Sequence, residues 1–377
     1  MAATTNMNHN GITVETSEPL PSLGGVGGQR GGVIGEVAAV KEGTQFNFPF
    51  TVRSEKDLTL IDETSTLYHS VKFLLEKAGV PIEVVVVEKA AKDADTIKNI
   101  IGGVDEIDGQ LLGLEAFKAC RDVPTNIGVA SFCDVSLSNA VAGVCEKVYA
   151  EGWVNAPDTN TKQALDFGLQ HGEAHKKVWS VDVRGERWDH PIPPAMYGMA
   201  ARLSVKPWQT PNGSTLLLDD LARDVSYTVN DSGSEAVELN KKGVSLAVAD
   251  PNGGIMFLGN RTLSGDFGNI IGIENQLIRE IIKSHRDTMK YNLDLDFFKS
   301  RIAQLNNWGK TLKADDALID FNVYLHPTRN TVDRYNNGEW VLVIDWAGYR
   351  PNEHSIVELN QVNHIVETFV GEIVKGI

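Results

Sequence analysis

Cysteine is scarce: only Cys120, Cys133 and Cys145 occur in 377 residues. An odd set with no CxxC pair supplies neither a disulfide framework nor a zinc site, so reduced, buried thiols are expected. Long apolar runs are missing as well. No stretch approaches the roughly 18 residues needed to cross a bilayer, and the first ten residues are polar, without the basic and apolar regions of a secretion signal. Direct membrane insertion is not expected, and manufacture and use in a cytoplasm are. Positive charge is in deficit: 35 basic residues against 50 acidic leave a net charge of -15, which repels nucleic acid backbones and anionic membranes. Protein is the expected partner. What the chain does have is 42% hydrophobic residues, enough for one large core or two to three ordinary ones.

Catalytic patterns are lacking too. There is no GxSxG, no phosphate loop and no paired Cys/His arrangement. Gly25, Gly27 and Arg30 miss the third glycine of a dinucleotide fingerprint, and Pro19-Leu20-Pro21 precedes them where a strand is required. His171 and His175 would share a helix face with Glu173 between them. The order is not that of a zinc protease and no third ligand is evident, so a solvated helix end is the expectation. Asp294 and Asp296 could hold a divalent ion, but Asp294 precedes a helical pattern and serves as an N-cap. Asn260-Arg261-Thr262 fits a glycosylation pattern that, without a secretion signal, nothing reads. The sequence therefore offers no catalytic residue, no metal site and no cofactor, and no enzyme is expected.

The chain opens with a polar tail carrying one short alternating stretch, Gly11, Ile12, Thr13, Val14 and Glu15, too short to fold without a sheet to join. Pro19, Pro21 and six glycines, at 24, 25, 27, 28, 31 and 32, follow; this composition resists helix and reads as a flexible linker. From residue 33 the pattern becomes α/β. Strands are expected at 33–40, 58–61, 82–87, 127–132 and 178–183, alternating with helices at 65–78, 91–101, 116–120, 137–151, 161–170 and 195–205. The run Val84-Val85-Val86-Val87 reads as a strand covered on both faces. Two short strands flank the turn Asp250-Pro251-Asn252-Gly253. Helices at 270–291 and 295–308, strands at 317–325 and 340–348, and an apolar-periodic stretch over 356–374 complete the chain. Residues 279–313 form a basic window in an acidic chain, and Arg279, Lys283, Arg286 and Lys290 recur at helical spacing along one stripe. That stripe reads either as a solvated face or as a dock for an acidic protein surface.

Three separated stretches resemble the tail sheath proteins of contractile-tailed phages, especially the short sheaths of P2-like phages and R-type pyocins. The most specific is Leu258-Gly259-Asn260-Arg261-Thr262-Leu263-Ser264-Gly265-Asp266, with Gly259, Asn260, Arg261 and Thr262 as the signature and Leu258 in place of the usual tryptophan. The others are Asn99-Ile100-Ile101-Gly102, continuing through Asp108-Gly109-Gln110 and Gly113-Leu114, and the run from Leu239-Asn240 to Val244. The resemblance spans nearly the whole chain.

The resemblance implies a mixed α/β fold (α+β in part): a helix-flanked sheet domain plus a smaller C-terminal α+β domain, with extended N- and C-terminal arms. Expected divisions are 1–32 for the arm and linker, 33–269 for the body with a middle insertion at about 92–204, 270–360 for the C-terminal domain and 361–377 for the second arm. It further implies that Gly11 to Glu15 at one end, and Ile365, Val366, Phe369, Val370 and Ile373 at the other, add as strands to neighbouring subunits. The glycine-rich linker would let joined subunits rotate, and the helix carrying Arg279 to Lys290 would face an inner tube. Implied partners are the chain itself in stacked, hexameric rings, the tail tube protein, and baseplate and tail terminator proteins. The implied location is a virion tail, built in a host cytoplasm. A tube or shell protein and a soluble α/β enzyme are the rival readings. The first would lack the insertion; the second should show a pocket with converging polar groups.

Overall fold

A computed structural model describes residues 23–25 and 27–376. Gly11 to Glu15 lie outside the described residues. In chain order the body contains β1 (Gly31–Val37), β2 (Phe50–Val52), α1 (Thr66–Ala78), β3 (Ile82–Glu88), α2 (Asp93–Ile101), β4 (Gly103–Val104), β5 (Leu111–Leu112), β6 (Asn126–Val129) and α3 (Val135–Val148). It continues with β7 (Glu151–Asn155), α4 (Thr161–Gly168), β8 (Val178–Asp182), β9 (Gly185–Arg187), β10 (His190–Ile192), α5 (Pro194–Leu203), β11 (Thr215–Leu216), β12 (Asp220–Leu221), α6 (Glu235–Asn240), β13 (Val244–Ala249) and β14 (Ile255–Leu258). The C-terminal part holds α7 (Gly268–Thr288), α8 (Leu295–Ala314), β15 (Asp320–Leu325), α9 (Val332–Asn336), β16 (Leu342–Ala347) and α10 (Asn363–Lys375).

One nine-stranded sheet, in the order β11-β14-β13-β8-β7-β6-β1-β3-β2, organises the body. Its interior strands β3, β1, β6, β7, β8 and β13 run parallel, β2 and β14 run antiparallel to them on either side, and β11 pairs antiparallel with β14 at the edge. The valine run explains why both faces must be covered. Val84 and Val86 enter one core with α1 and α5, whereas Val85 and Val87 enter another with α2 and α3, as the two-residue period of a strand dictates. Helix ends follow ordinary chemistry: Ser65 caps α1 by accepting from the Tyr68 N–H, and Gly79 ends it in the left-handed conformation.

Segment 92–204 belongs to the same sheet as the rest of the body. It supplies β6, β7 and β8 to the middle of the sheet, because the chain fills one side of β1 with β3 and then crosses to the other side to lay down β6. The crevice that such a switch leaves is filled: a Cβ on Gly35 would stand 3.1 Å from Leu67 of α1, and Ser131 hydrogen-bonds Glu36 across the gap. Residues 55–60 form a 3-10 turn where a strand was expected, since Asp57 accepts from the Arg53 and Ser54 N–H groups and curls the backbone. Cys120 and Cys145 are buried as expected, and burial pushes the Cys120 thiol up to about 12; Cys133 is exposed.

The smaller C-terminal unit has its own core, in which Ile273 and Leu277 of α7 meet Leu305, Trp308 and Leu312 of α8 and Phe321 and Val323 of β15. It sits on the body over a buried ion pair. Arg202 Nη2 lies 2.9 Å from Glu151 Oε1, with side-chain exposures of 0% and 4%. The same guanidinium donates to the Lys206, Pro207 and Gln209 carbonyls, and Trp179 Nε1 donates to Glu151 Oε2 at 2.8 Å. Helix α7 crosses this network at Gly272, where a Cβ would lie 2.0 Å from the Arg202 nitrogen. Only glycine lets the helix come so close. Among the described residues no helix is long and apolar enough to cross a membrane.

Candidate assembly surfaces

The signature residues occupy the turn between β14 and α7, and three of the four are committed to holding that junction. Gly259 presses on Ser245, where a Cβ would meet the hydroxyl at 2.1 Å, and its N–H donates to Asn212 Oδ1 at 2.9 Å. Asn260 accepts at its side chain from the Thr210 hydroxyl and at its carbonyl from the Gly268 N–H, joining the start of α7 to the sheet. Thr262 is fully buried, with its hydroxyl 3.1 Å from that of Ser264. Arg261 is the exception that points outward. It donates through Nε and Nη2 to Glu353, with a closest approach of 2.7 Å, through Nη1 to the Gly265 carbonyl, and it lies 3.9 Å from the centre of the Phe267 ring.

Glu353 was invisible to sequence reasoning, being 92 residues away from its partner. It matters because it closes a clasp: Asn269 Nδ2 donates to the Tyr349 carbonyl at 2.9 Å, and the Arg350 guanidinium also faces Phe267, at 6.0 Å. Beyond the clasp the chain leaves the body. From Asn352 to Gly376 every residue is exposed except Val362 and Gly371, which are half-buried. Ile356, Val357 and Leu359, with 83%, 76% and 93% exposure, lie on a stretch with no regular secondary structure, outside any ladder.

The arm ends differently from the expectation. Ile365, Val366, Phe369, Val370 and Ile373 form one apolar face of the helix α10, not a strand. The physical reason is their spacing: positions i, i+1, i+4, i+5 and i+8 gather on one side at 3.6 residues per turn, whereas a strand would scatter them over both faces. In strand form the apolar set could not face one partner.

The basic stripe divides as well. Arg279 turns inward and donates to the carbonyls of Val123, Pro124 and Val148, tying α7 to the loop before β6 and to the end of α3. It is a structural tie, and burial lowers its guanidinium from the usual range. Lys283 is 75% exposed with Glu280 3.7 Å away, and Arg286 is exposed beside it. Lys290 lies past the last residue of α7, over the Tyr291 ring.

The glycine-rich stretch, so far as it is described, is fastened down. Trp308 Nε1 donates to the Gly24 carbonyl at 3.0 Å, Gln276 Nε2 to that of Gly28 at 3.4 Å, and Gln29 to those of Leu203 and Val205. Gly32 lies where a Cβ would stand 2.7 Å from Pro124. Gly24, Gly31 and Gly32 permit close approach, whereas nothing stands within 4 Å of a Cβ on Gly25 or Gly28; composition alone does not separate these two uses of glycine. His171 and His175 likewise do not form a solvated helix end. They bind α3, His171 Nε2 to the Ser138 hydroxyl at 2.8 Å and His175 Nε2 to Asn139 Oδ1 at 2.9 Å. Among the described residues no three His, Cys, Asp or Glu side chains stand close enough to hold a metal ion.

The remaining surface feature is the sheet of β15 and β16, two strands of six residues packed on α8 and joined to no other strand among the described residues. No family model matches the chain. Individual relatives do. A putative prophage major tail sheath protein of Pseudomonas aeruginosa strain UCBPP-PA14 is 23% identical, over 82% of this chain and 84% of its own length. The tail sheath protein of Escherichia phage P2 is 22% identical, over 71% of each chain. The chain is a homologue of the tail sheath proteins. Its fold agrees: the contracted sheath complex of an extracellular contractile injection system, PVC, superposes with a TM-score of 0.72 over 96% of this chain and all of that one, at 15% identity. Within this sheath fold, the signature loop, the clasped arm and the open two-stranded sheet lie together on the C-terminal side of the body.

Proposed function

We propose that the chain is the structural subunit of a contractile tail sheath, and the observation that carries this is an unfinished sheet beside a projecting arm. Strands β15 and β16 present main-chain groups that a further strand can take, and the segment from Asn352 onward has left the body with its apolar side chains exposed. An arm that reaches into the next copy makes a head-to-tail contact that need not close, so one kind of contact builds a helical sleeve of any length. The N-terminal residues Gly11 to Glu15 supply the second reaching strand, linking stacked rings of six.

The sleeve surrounds a tail tube protein, with the exposed Lys283 and Arg286 directed to it; baseplate proteins trigger it and a terminator protein ends it. Contraction is the relaxation of a metastable array into a better packed one, with no nucleotide consumed and no catalytic step. The subunit is made in a bacterial host cytoplasm and works in the virion tail. Negative-stain microscopy tests this reading. The full-length chain should form striated sleeves, and a chain ending at Glu353 should remain as folded single subunits. With the inner tube added, Lys283→Glu/Arg286→Glu should lose tube-guided assembly; sleeves from the truncated chain would end the arm-exchange reading.

A further inference from the structure

The two edges of the open sheet are not equivalent. The β15–β16 register pairs Asp320 with Ala347 through Leu325 with Leu342, and the His326 N–H donates to the Val341 carbonyl at 3.0 Å. In an antiparallel ladder, bonded and non-bonded pairs alternate. Residues 320, 322 and 324 therefore point their main-chain groups at β16, while 321, 323 and 325 point theirs outward. On β16 the outward set is 342, 344 and 346.

The outward groups of Val323 are already taken. The Val323 N–H donates to Asn306 Oδ1 at 3.0 Å, and Asn306 Nδ2 donates to the Val323 carbonyl at 3.2 Å. A primary amide offers one acceptor and two donors on a planar group, so it reproduces the two bonds that one residue of a neighbouring strand would make. Asn306 projects from α8, whose buried residues Leu305, Trp308 and Leu312 hold that helix against the sheet. The outward groups of Leu342, Ile344 and Trp346 have no main-chain partner among the described residues. Those three side chains are half-buried and apolar, so the free edge of β16 carries little charge to repel an incoming strand.

We propose that Asn306 is a placeholder for a β-strand. In the free subunit it occupies the middle of the outer edge of β15, at Val323 between the outward groups of Phe321 and Leu325, so an extended strand from a second copy of the chain adds first at the outer edge of β16. A strand reaches β15 only by displacing this amide. The device rests on the sheath reading above and deepens it, since it fixes which edge of the sheet accepts the first partner. It also limits pairing at the wrong edge before assembly begins, a protection that exposed edges otherwise obtain from charge, proline or bulges.

The test uses the full-length chain and three variants, with two readouts. Ile344→Pro removes an outward N–H that the β15–β16 ladder does not use, so the fold should survive while sleeve formation is lost. Asn306→Ala frees the β15 edge; the Val323 amide should exchange faster in the isolated subunit, and light scattering should show association beginning at a concentration about tenfold lower, with irregular aggregates among the sleeves. Asn306→Leu fills the same space without the hydrogen bonds and should behave as the alanine variant does. Val323 exchange unchanged by Asn306→Ala, or sleeves formed normally by Ile344→Pro, would overturn the placeholder. If Val323 opens in the variant but the unaltered chain forms no sleeve, the sheath reading fails instead, and the closed β15 edge stands.

Discussion

Of the four sheets among the described residues, the nine-stranded sheet and the β15–β16 sheet treat their edges in opposite ways. The nine-stranded sheet ends on β2 and β11, three and two residues long, so its sides expose few main-chain groups. The two-stranded sheet consists of six-residue strands with an edge on each side. Short edge strands are a means of preventing association, and long open ones invite it. The same chain thus carries a large sheet with short edges and, on the function proposed above, a second sheet for other copies to finish. That proposal assigns stability to the first and assembly to the second.

The sharpest way to break that division is to attack the finished sheet where it supports the other. Glu151 lies in β7 and holds Arg202, over which α7 crosses. In Glu151→Ala the guanidinium keeps its carbonyl partners but stays buried without its counter-charge, which costs about 3–5 kcal/mol. Chemical unfolding should show a loss of that size, with assembly falling only because the subunit unfolds. A variant as stable as the unaltered chain would mean that the body does not depend on this pair.

Acid provides a middle-sized probe of the same body. Burial lowers the His171 and His175 imidazoles below the ordinary value near 6.5, and His69 is lowered by burial, by His190 stacked 3.8 Å away and by Lys72. All three favour the neutral ring in the folded chain. As pH drops below about 6.5, the unfolded chain takes up protons that the folded one resists, so stability is complete above that point and declines beneath it. The melting temperature should be lower at pH 5.5 than at 7.5. His171→Gln should flatten the decline, and an unchanged slope would remove these rings as its source.

Local chemistry made much of this legible in the sequence. The valine run announced a doubly covered strand, Asp294 its role as an N-cap, and the turn at Asp250 the hairpin of β13 and β14. Long-range commitments were not legible. Nothing local to Arg279 shows that it reaches carbonyls more than 130 residues away, and nothing around Gly24 shows a tryptophan donor waiting in α8. The C-terminal stretch went wrong for a different reason. Its apolar spacing is helical, and the expectation of a strand followed from the family rather than from the residues. The signature was recognised as a pattern, yet only the structure shows three of its residues spent inside the junction and the fourth, Arg261, holding the base of the arm.

That last contact marks the boundary between the finished and unfinished parts, and its expected effect is the smallest. The Arg261–Glu353 pair is about a third exposed on each side, so breaking it should change stability by no more than ~1 kcal/mol. Its influence should be on direction: the clasp sets where the arm leaves the body and so, in the proposed exchange, how far the arm must search for a neighbouring subunit. Arg261→Glu should leave the melting temperature almost unchanged, speed amide exchange at Tyr349 and Arg350, and slow sleeve growth. The reciprocal Arg261→Glu/Glu353→Arg chain restores the pair with its charges exchanged, so it should recover both slow exchange and normal growth. Recovery requires the ion pair itself to aim the arm. If both chains grow as the unaltered one does, the remaining contact between Asn269 and the Tyr349 carbonyl is sufficient, and the boundary between the two sheets is set by main-chain geometry alone.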